Sequence, residues 1–245
     1  MGSDDGRSGR AARLAAVRPR AVGFAGSTLS PHTSMIVLGL TGGIGSGKTA
    51  VAARLATHAG VRVVLADDLA KQIMTDDADL RAALVAEFGA NTFDASGALD
   101  RARLAARVFA DPAELAALNA LVHPAVRRAM QSAIDAARAD GVRLFVYEAA
   151  LLFEAGADAL VDHVALVTAP EAARVARAMS RDGASEADVR ARMARQIDPA
   201  EAARRTRAAG GTVIANDRDL AALHAQADAL AAELTRPGDA PNARR

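Results

Sequence analysis

Residues 38–56 read LGLTGGIGSGKTAVAARLA. An apolar run gives way to four glycines within six positions, then to Lys48 and Thr49, and then to a pattern in which Val51 and Leu55 lie four apart on one helical face. The octet Gly42-Gly43-Ile44-Gly45-Ser46-Gly47-Lys48-Thr49 satisfies G-x-x-x-x-G-K-[ST] and sits between a predicted buried strand and a predicted helix start. Glycines let backbone N–H groups converge on a phosphate without Cβ clashes, and the helix start adds unpaired donors and the positive end of its dipole. The expected nucleotide-binding residues are Gly43, Ile44, Gly45, Ser46, Gly47, Lys48, Thr49 and Ala50. Lys48 is placed to bridge the β- and γ-phosphates, and the Thr49 hydroxyl to complete the coordination of Mg²⁺, whose other ligands are waters and phosphate oxygens.

Composition narrows the partners. Lys48 is one of only two lysines, the other being Lys71, so a chain that otherwise uses arginine keeps a compact ammonium inside this turn. The formal net charge is +1, and aromatic residues make up 3% of the chain. Neither a basic tract nor a base-stacking platform is present, which counts against a nucleic-acid partner. Cysteine is absent, which removes disulfides, thiolate metal sites and thiol nucleophiles, and suits a reducing compartment. No segment is long and apolar enough to span a bilayer, so a soluble, cytoplasmic protein without a membrane partner is expected.

Strand patterns at 35–40, 61–65, 143–147, 162–168 and 211–215, each followed by helical pattern, predict a parallel sheet covered on both faces. Residues 69–140 interrupt this rhythm as an almost wholly helical insertion with one turn at 88–99, and residues 171–207 form a second helical interruption carrying nine arginines. Residues 1–34 read as a disordered extension rather than a targeting peptide, since Asp4 and Asp5 accompany the arginines and no convincing apolar segment follows. Residues 233–245 read as a tail.

The second strand ends in Val63-Val64-Leu65-Ala66-Asp67-Asp68, beside the phosphate loop of the first, where open α/β sheets bind ligands. A carboxylate there can orient an acceptor hydroxyl and take its proton. Aspartate at this position is also a preferred helix cap, so spacing leaves open which aspartate does which. Glu148, after the third strand pattern, is a candidate either for a metal-bound water or for capping, and His123 before Pro124 looks like a helix boundary. No His/Asp/Glu spacing resembles a zinc site.

Taken together, LTGGIGSGKT at 40–49, Ala66-Asp67 followed by Leu69-Ala70-Lys71, FGAN at 88–91, LNALVHP at 118–124, ALLFE at 150–154, and Arg177, Arg181-Asp182 and Gln196 resemble the dephospho-coenzyme A kinase family, over about residues 35–230. The resemblance implies an α/β fold of the P-loop NTPase type, a three-layer α/β/α core with a parallel sheet, an inserted helical substrate subdomain and a helical lid. On this basis the core comprises 35–68, 141–170 and 208–232, the coenzyme-binding subdomain 69–140 and the lid 171–207. It implies ATP and Mg²⁺ as cofactors and transfer of the γ-phosphate to the ribose 3′-hydroxyl of dephospho-CoA, by a monomer or small homo-oligomer. The family's catalytic aspartate falls on Asp67, with Asp68 as its capping neighbour. Arg177 and Arg181, four apart on one face of the predicted lid helix, are expected to close over the triphosphate and exclude water. Two positions depart from the family pattern: Leu65 stands where a further aspartate is usual, and Ala150 where proline is usual. A nucleoside or shikimate-type kinase would share the loop but not LNALVHP or LLFE.

Overall fold

The computed structural model describes residues 35–236, so the expectations for residues 1–34, and for the tail beyond 236, lie outside the described residues. In chain order the elements are β1 (Ile36–Thr41), α1 (Lys48–Leu55), β2 (Val61–Leu65), α2 (Ala66–Asp76), α3 (Ala78–Phe88), α4 (Arg101–Ala110), α5 (Pro112–Ala139), β3 (Leu144–Glu148), β4 (His163–Thr168), α6 (Glu171–Asp182), α7 (Glu186–Met193), α8 (Pro199–Ala208), β5 (Thr212–Ala215) and α9 (Leu220–Leu234). Short 3-10 turns occupy Ala90–Thr92 and Ala157–Leu160. Residues 233 and 234, assigned to the tail by pattern, still belong to α9, with Leu234 buried against the sheet.

The five strands are all parallel in the order β2-β3-β1-β4-β5. The period-2 alternation of side chains sends Ile36, Leu38 and Leu40 to the face covered by α1 and α9, where Val51, Leu55, Leu223, Ala227 and Leu230 close the core. Val37, Phe145, Tyr147, Val164 and Leu166 face the other way, against Met130 and Ile134 of α5 and Ala202 of α8. The three layers are therefore helix, sheet and helix, with β1 at the centre.

β3 is inserted between β2 and β1, so the chain returns from the long α2–α5 excursion to pair beside the central strand. Two local expectations need correction. β3 is not followed by an α-helix. Its place on that face is filled by turns and a 3-10 turn whose Leu152, Phe153, Ala157 and Val161 are buried in the sheet core. Nor do His123 and Pro124 mark a helix boundary. Pro124 lies inside α5, whose start is set by the Asp111 carboxylate accepting from the Ala113 N–H and by Pro112 at the first turn. Packing on both sides of Pro124 carries the helix through. Val122 and Ala125 join Leu80, Leu84 and Phe88 of α3 and Leu104 and Val108 of α4, while Met130, Ile134 and Ala137 join the sheet core. One long helix thus ties the inserted helices to the sheet.

Candidate active site

The register of the sheet brings three strand ends to one line. Glu148, the last residue of β3, pairs with Leu40 of β1 on one side and Leu65 of β2 on the other. The glycine loop leaves β1 two residues later, and Asp67 follows β2 by two, so Glu148 stands between the loop and the aspartates. These groups share one open cleft, lined by Ile44, Gly45, Lys48, Thr49, Leu65, Asp67, Asp68, Lys71, Glu148, Ala150 and Arg181.

Within the loop, Gly47 caps α1 in the left-handed conformation, with φ of 105°. A Cβ there would be strained and would stand 2.3 Å from Asn216 Nδ2. Lys48 and Thr49 take the first two positions of α1, where a helix leaves its N–H groups without intrahelical acceptors. The Lys48 side chain is buried and reaches back to within 3.4 Å of the Gly43 carbonyl. Burial pulls its ammonium below the ordinary lysine range, while the charges of Glu148 and Asp67 oppose that shift. Thr49 is exposed at the mouth of the cleft. Three of the expected phosphate donors already have acceptors: Ile44 N–H donates to Gln196 Oε1 at 2.8 Å, Ser46 N–H to the Gly43 carbonyl at 3.1 Å and Ala50 N–H to the Gly47 carbonyl at 3.0 Å.

The β2–α2 junction has no loop at all. Leu65, extended at φ −91° and ψ 121°, is the capping residue and makes no side-chain cap. Asp67 and Asp68 both lie in the first turn of α2, exposed to solvent, which corrects the expectation that one of them caps the helix. Asp68 instead pairs with Lys71 at 2.9 Å. Asp67 shares the cleft with Lys48, whose ammonium its charge helps to hold up. Glu148 is partly buried. Burial raises its carboxyl above the usual range, Lys48 opposes the shift, and the charges of Asp67 and Asp68 add to it. Among the described residues no cluster of three His, Cys, Asp or Glu side chains is arranged to hold a metal.

From the far side α6 brings both expected arginines, Arg177 and Arg181, to the loop and its cleft. Arg177 Nη1 donates to the Gly45 carbonyl at 3.3 Å. Arg181 lines the cleft, its guanidinium held by Asp182 through Nε at 2.7 Å and Nη2 at 3.1 Å. That pairing, with Arg192 also 2.9 Å from Asp182, holds the Asp182 carboxyl down at about 2. Val175, Ala178 and Val189 pack with Ile44, so α6 and α7 rest directly on the loop. α8, by contrast, buries Ala202 and Thr206 and packs against β4 and β5.

Two residues at the loop escaped sequence reasoning. Arg174 Nε donates to the Ile44 carbonyl at 3.0 Å, and Asn216 Nδ2 to the Ser46 carbonyl at 2.8 Å. Arg174 carried a usable signal: with Arg177 and Arg181 it completes an i, i+3, i+7 set on one helical face. Asn216 follows β5 and reads locally as a turn residue. His123 is exposed on α5 and does not line the cleft.

Comparison with known proteins gives this geometry a family. A family model described as dephospho-CoA kinase matches residues 36–222. The chain is 48% identical over 167 residues to a dephospho-CoA kinase of Salinibacter ruber, covering 68% of this chain and 83% of that one. To the dephospho-CoA kinase of Anaeromyxobacter dehalogenans it is 42% identical over 200 residues, covering 82% and 92%. The crystal structure of TT1252 from Thermus thermophilus superposes with a TM-score of 0.68 at 36% identity, covering 82% of this chain and 99% of that one. A dephospho-CoA kinase from Campylobacter jejuni, at 22% identity and a TM-score of 0.59 over 81% and 96% of the two chains, shares the fold. The chain belongs to the dephospho-CoA kinase family.

Proposed function

We propose that this protein transfers the γ-phosphate of ATP to the ribose 3′-hydroxyl of dephospho-CoA, giving coenzyme A and ADP. The observation that carries this reading is the convergence of Lys48, Asp67 and Arg181 in one cleft, each supplied by a different element. The backbone of the loop and the start of α1 hold the nucleotide phosphates, and buried Lys48 bridges β and γ. Asp67, on the other wall, accepts the proton of the 3′-hydroxyl as the O3′–Pγ bond forms and the bond from Pγ to the β,γ-bridging oxygen breaks. Arg181, in the cleft, neutralises charge on the transferring group, while Arg177, held on the Gly45 carbonyl, closes α6 over the loop and with α7 keeps water from it.

Mg²⁺ fits the residues present because it keeps waters and phosphate oxygens as its main ligands. The Thr49 hydroxyl would hold it, and Glu148, which lines the same cleft, would accept from a water on the ion. When bound, the ion neutralises phosphate charge. Asp68, paired with Lys71, stays outside the proton transfer. The inserted α2–α5 helices provide the acceptor side. We place the enzyme in the cytoplasm, as a monomer or small homo-oligomer without a nucleic-acid partner. No helix among the described residues is long and apolar enough to cross a membrane.

The test is ADP release with ATP and Mg²⁺, with and without dephospho-CoA, and mass analysis of the product. Stimulation by dephospho-CoA with one phosphate gained at the 3′ position is expected. ADP release indifferent to dephospho-CoA but stimulated by a nucleoside or another small alcohol would move the assignment to a different small-molecule kinase.

A further inference from the structure

Consecutive peptide units of the phosphate loop are held from outside. Besides Gln196 on the Ile44 N–H, the carbonyls of Ile44, Gly45 and Ser46 accept from Arg174, Arg177 and Asn216 in turn. In a trans peptide the carbonyl of one residue and the N–H of the next point in opposite directions. An Ile44 carbonyl tied outward to Arg174 therefore aims the Gly45 N–H inward, and a Ser46 carbonyl tied to Asn216 does the same for the Gly47 N–H. Glycine-flanked peptides rotate with little steric resistance. A turned unit would present a carbonyl dipole to the phosphates in place of a donor.

Arg174 and Asn216 are themselves firmly placed. Their relative exposures are 8% and 7%. Burial pulls the Arg174 guanidinium below the ordinary arginine range, with Glu171 opposing, so its charge is kept inside at a cost that simple packing would not require. The backbone of α6 lies against the loop as well: a Cβ on Gly45, whose φ is +73°, would stand 2.2 Å from the Arg174 carbonyl oxygen. The two anchors come from separate parts of the chain, Arg174 from α6 and Asn216 from the residue after β5.

We infer that Arg174 and Asn216 are positioning residues, which hold the phosphate loop in its anion-binding form by fixing the Ile44–Gly45 and Ser46–Gly47 peptides. The inference rests on the kinase reading for the nucleotide alone and is independent of which acceptor is phosphorylated.

The experiment uses the full chain and measures ATP affinity by calorimetry without acceptor, thermal midpoints without nucleotide, and steady-state constants for both substrates. Arg174→Met and Asn216→Ala should each weaken ATP binding about tenfold, the scale of one strong hydrogen bond. KM for ATP should rise while KM for dephospho-CoA stays within about twofold. Arg174→Lys, which keeps the cation but loses the fork, should fall between wild type and Arg174→Met. Asn216→Asp should bind ATP more weakly than Asn216→Ala, because it sets a carboxylate oxygen against the Ser46 carbonyl. Should Asn216→Ala fail to fold, the two Arg174 variants decide the matter. Folded variants with wild-type ATP affinity would overturn the inference, as would a lowered midpoint with equal losses for both substrates. Wild-type protein that binds no ATP would instead remove the kinase reading itself.

Discussion

Two strand-to-helix junctions open into the same cleft, and they are built in opposite ways. Between β1 and α1 the chain spends residues 42–47 on a glycine loop, and its groups for the ligand are mostly main-chain. Between β2 and α2 it spends none: Leu65 ends the strand, Ala66 starts the helix, and two carboxylates stand exposed in the first turn. A backbone site has no rotamer to hold it, so it needs braces, and the first junction has them in Arg174, Arg177, Gln196 and Asn216. A side-chain site needs only a rigid base, and the second junction stands on the paired end of β2. The first binds by many shared donors and the second acts through one group. Substitutions should therefore fall unevenly on binding and turnover at the two places.

The harshest test of that division is Lys48→Ala. It removes the buried lysine charge of the first junction, and kcat should fall by about 10³-fold or more, the scale of a lost cationic contact in phosphoryl transfer. Backbone donors remain, so ATP affinity should fall far less than kcat. Equal losses would show that the lysine, rather than the loop, carries nucleotide binding. At the second junction Asp67→Asn keeps shape and removes the base. Turnover should drop by about 10²–10⁴-fold, with the ATP dissociation constant unchanged.

Between the two junctions stands Glu148, and its titration sharpens the comparison. Burial raises its carboxyl, so on acidification it takes up a proton before a solvated glutamate does. The sign follows: the ionised form is the disfavoured one in the free protein, and its negative charge beside Lys48 disappears as pH falls through the raised value. The acid limb of kcat/KM for ATP, which reports free-enzyme groups, should therefore lie above the ordinary glutamate value of about 4.3. In Glu148→Gln the limb should move toward that ordinary range, with kcat/KM about tenfold lower at neutral pH. An unmoved limb would place the controlling group elsewhere.

The five strands, the helical insertion and the arginine-bearing helices were legible because each rests on local periodicity: 2 for the strands and 3.6 for the helices. Strand order was not, since nothing in the local pattern of β2 or β3 says which one pairs with β1. That depends on where a long connection brings the chain back. The exposed ends of the site were legible too: the octet is a motif, and Asp67 follows a strand. The braces were harder to see. Arg174 is one of nine arginines in its segment, and although it shares a helical face with Arg177 and Arg181, its burial is not written in that spacing. Asn216 lies 170 residues from the carbonyl it holds. Pro124 misled because its exclusion from helices is a local preference, and α5 is held by packing against two cores.

The smallest expected effect is also the most discriminating. Asp68 differs from Asp67 by one position, and both are exposed acids in one helical turn. Proximity alone, or a general attraction of acids to the helix start, would make them equivalent. The structure separates them by partner: Asp68 is tied to Lys71 at 2.9 Å, while the charge of Asp67 acts on buried Lys48. An exposed pair of this kind contributes about 0–1 kcal/mol, so Asp68→Asn should leave the thermal midpoint almost unmoved. Turnover should change by about twofold or less, since the dipole and the screened charge act on both ground and transition states. Measured beside Asp67→Asn in one assay, a loss of equal size would mean that the second junction acts as a diffuse negative surface rather than through one base, and the contrast between the junctions would fail there.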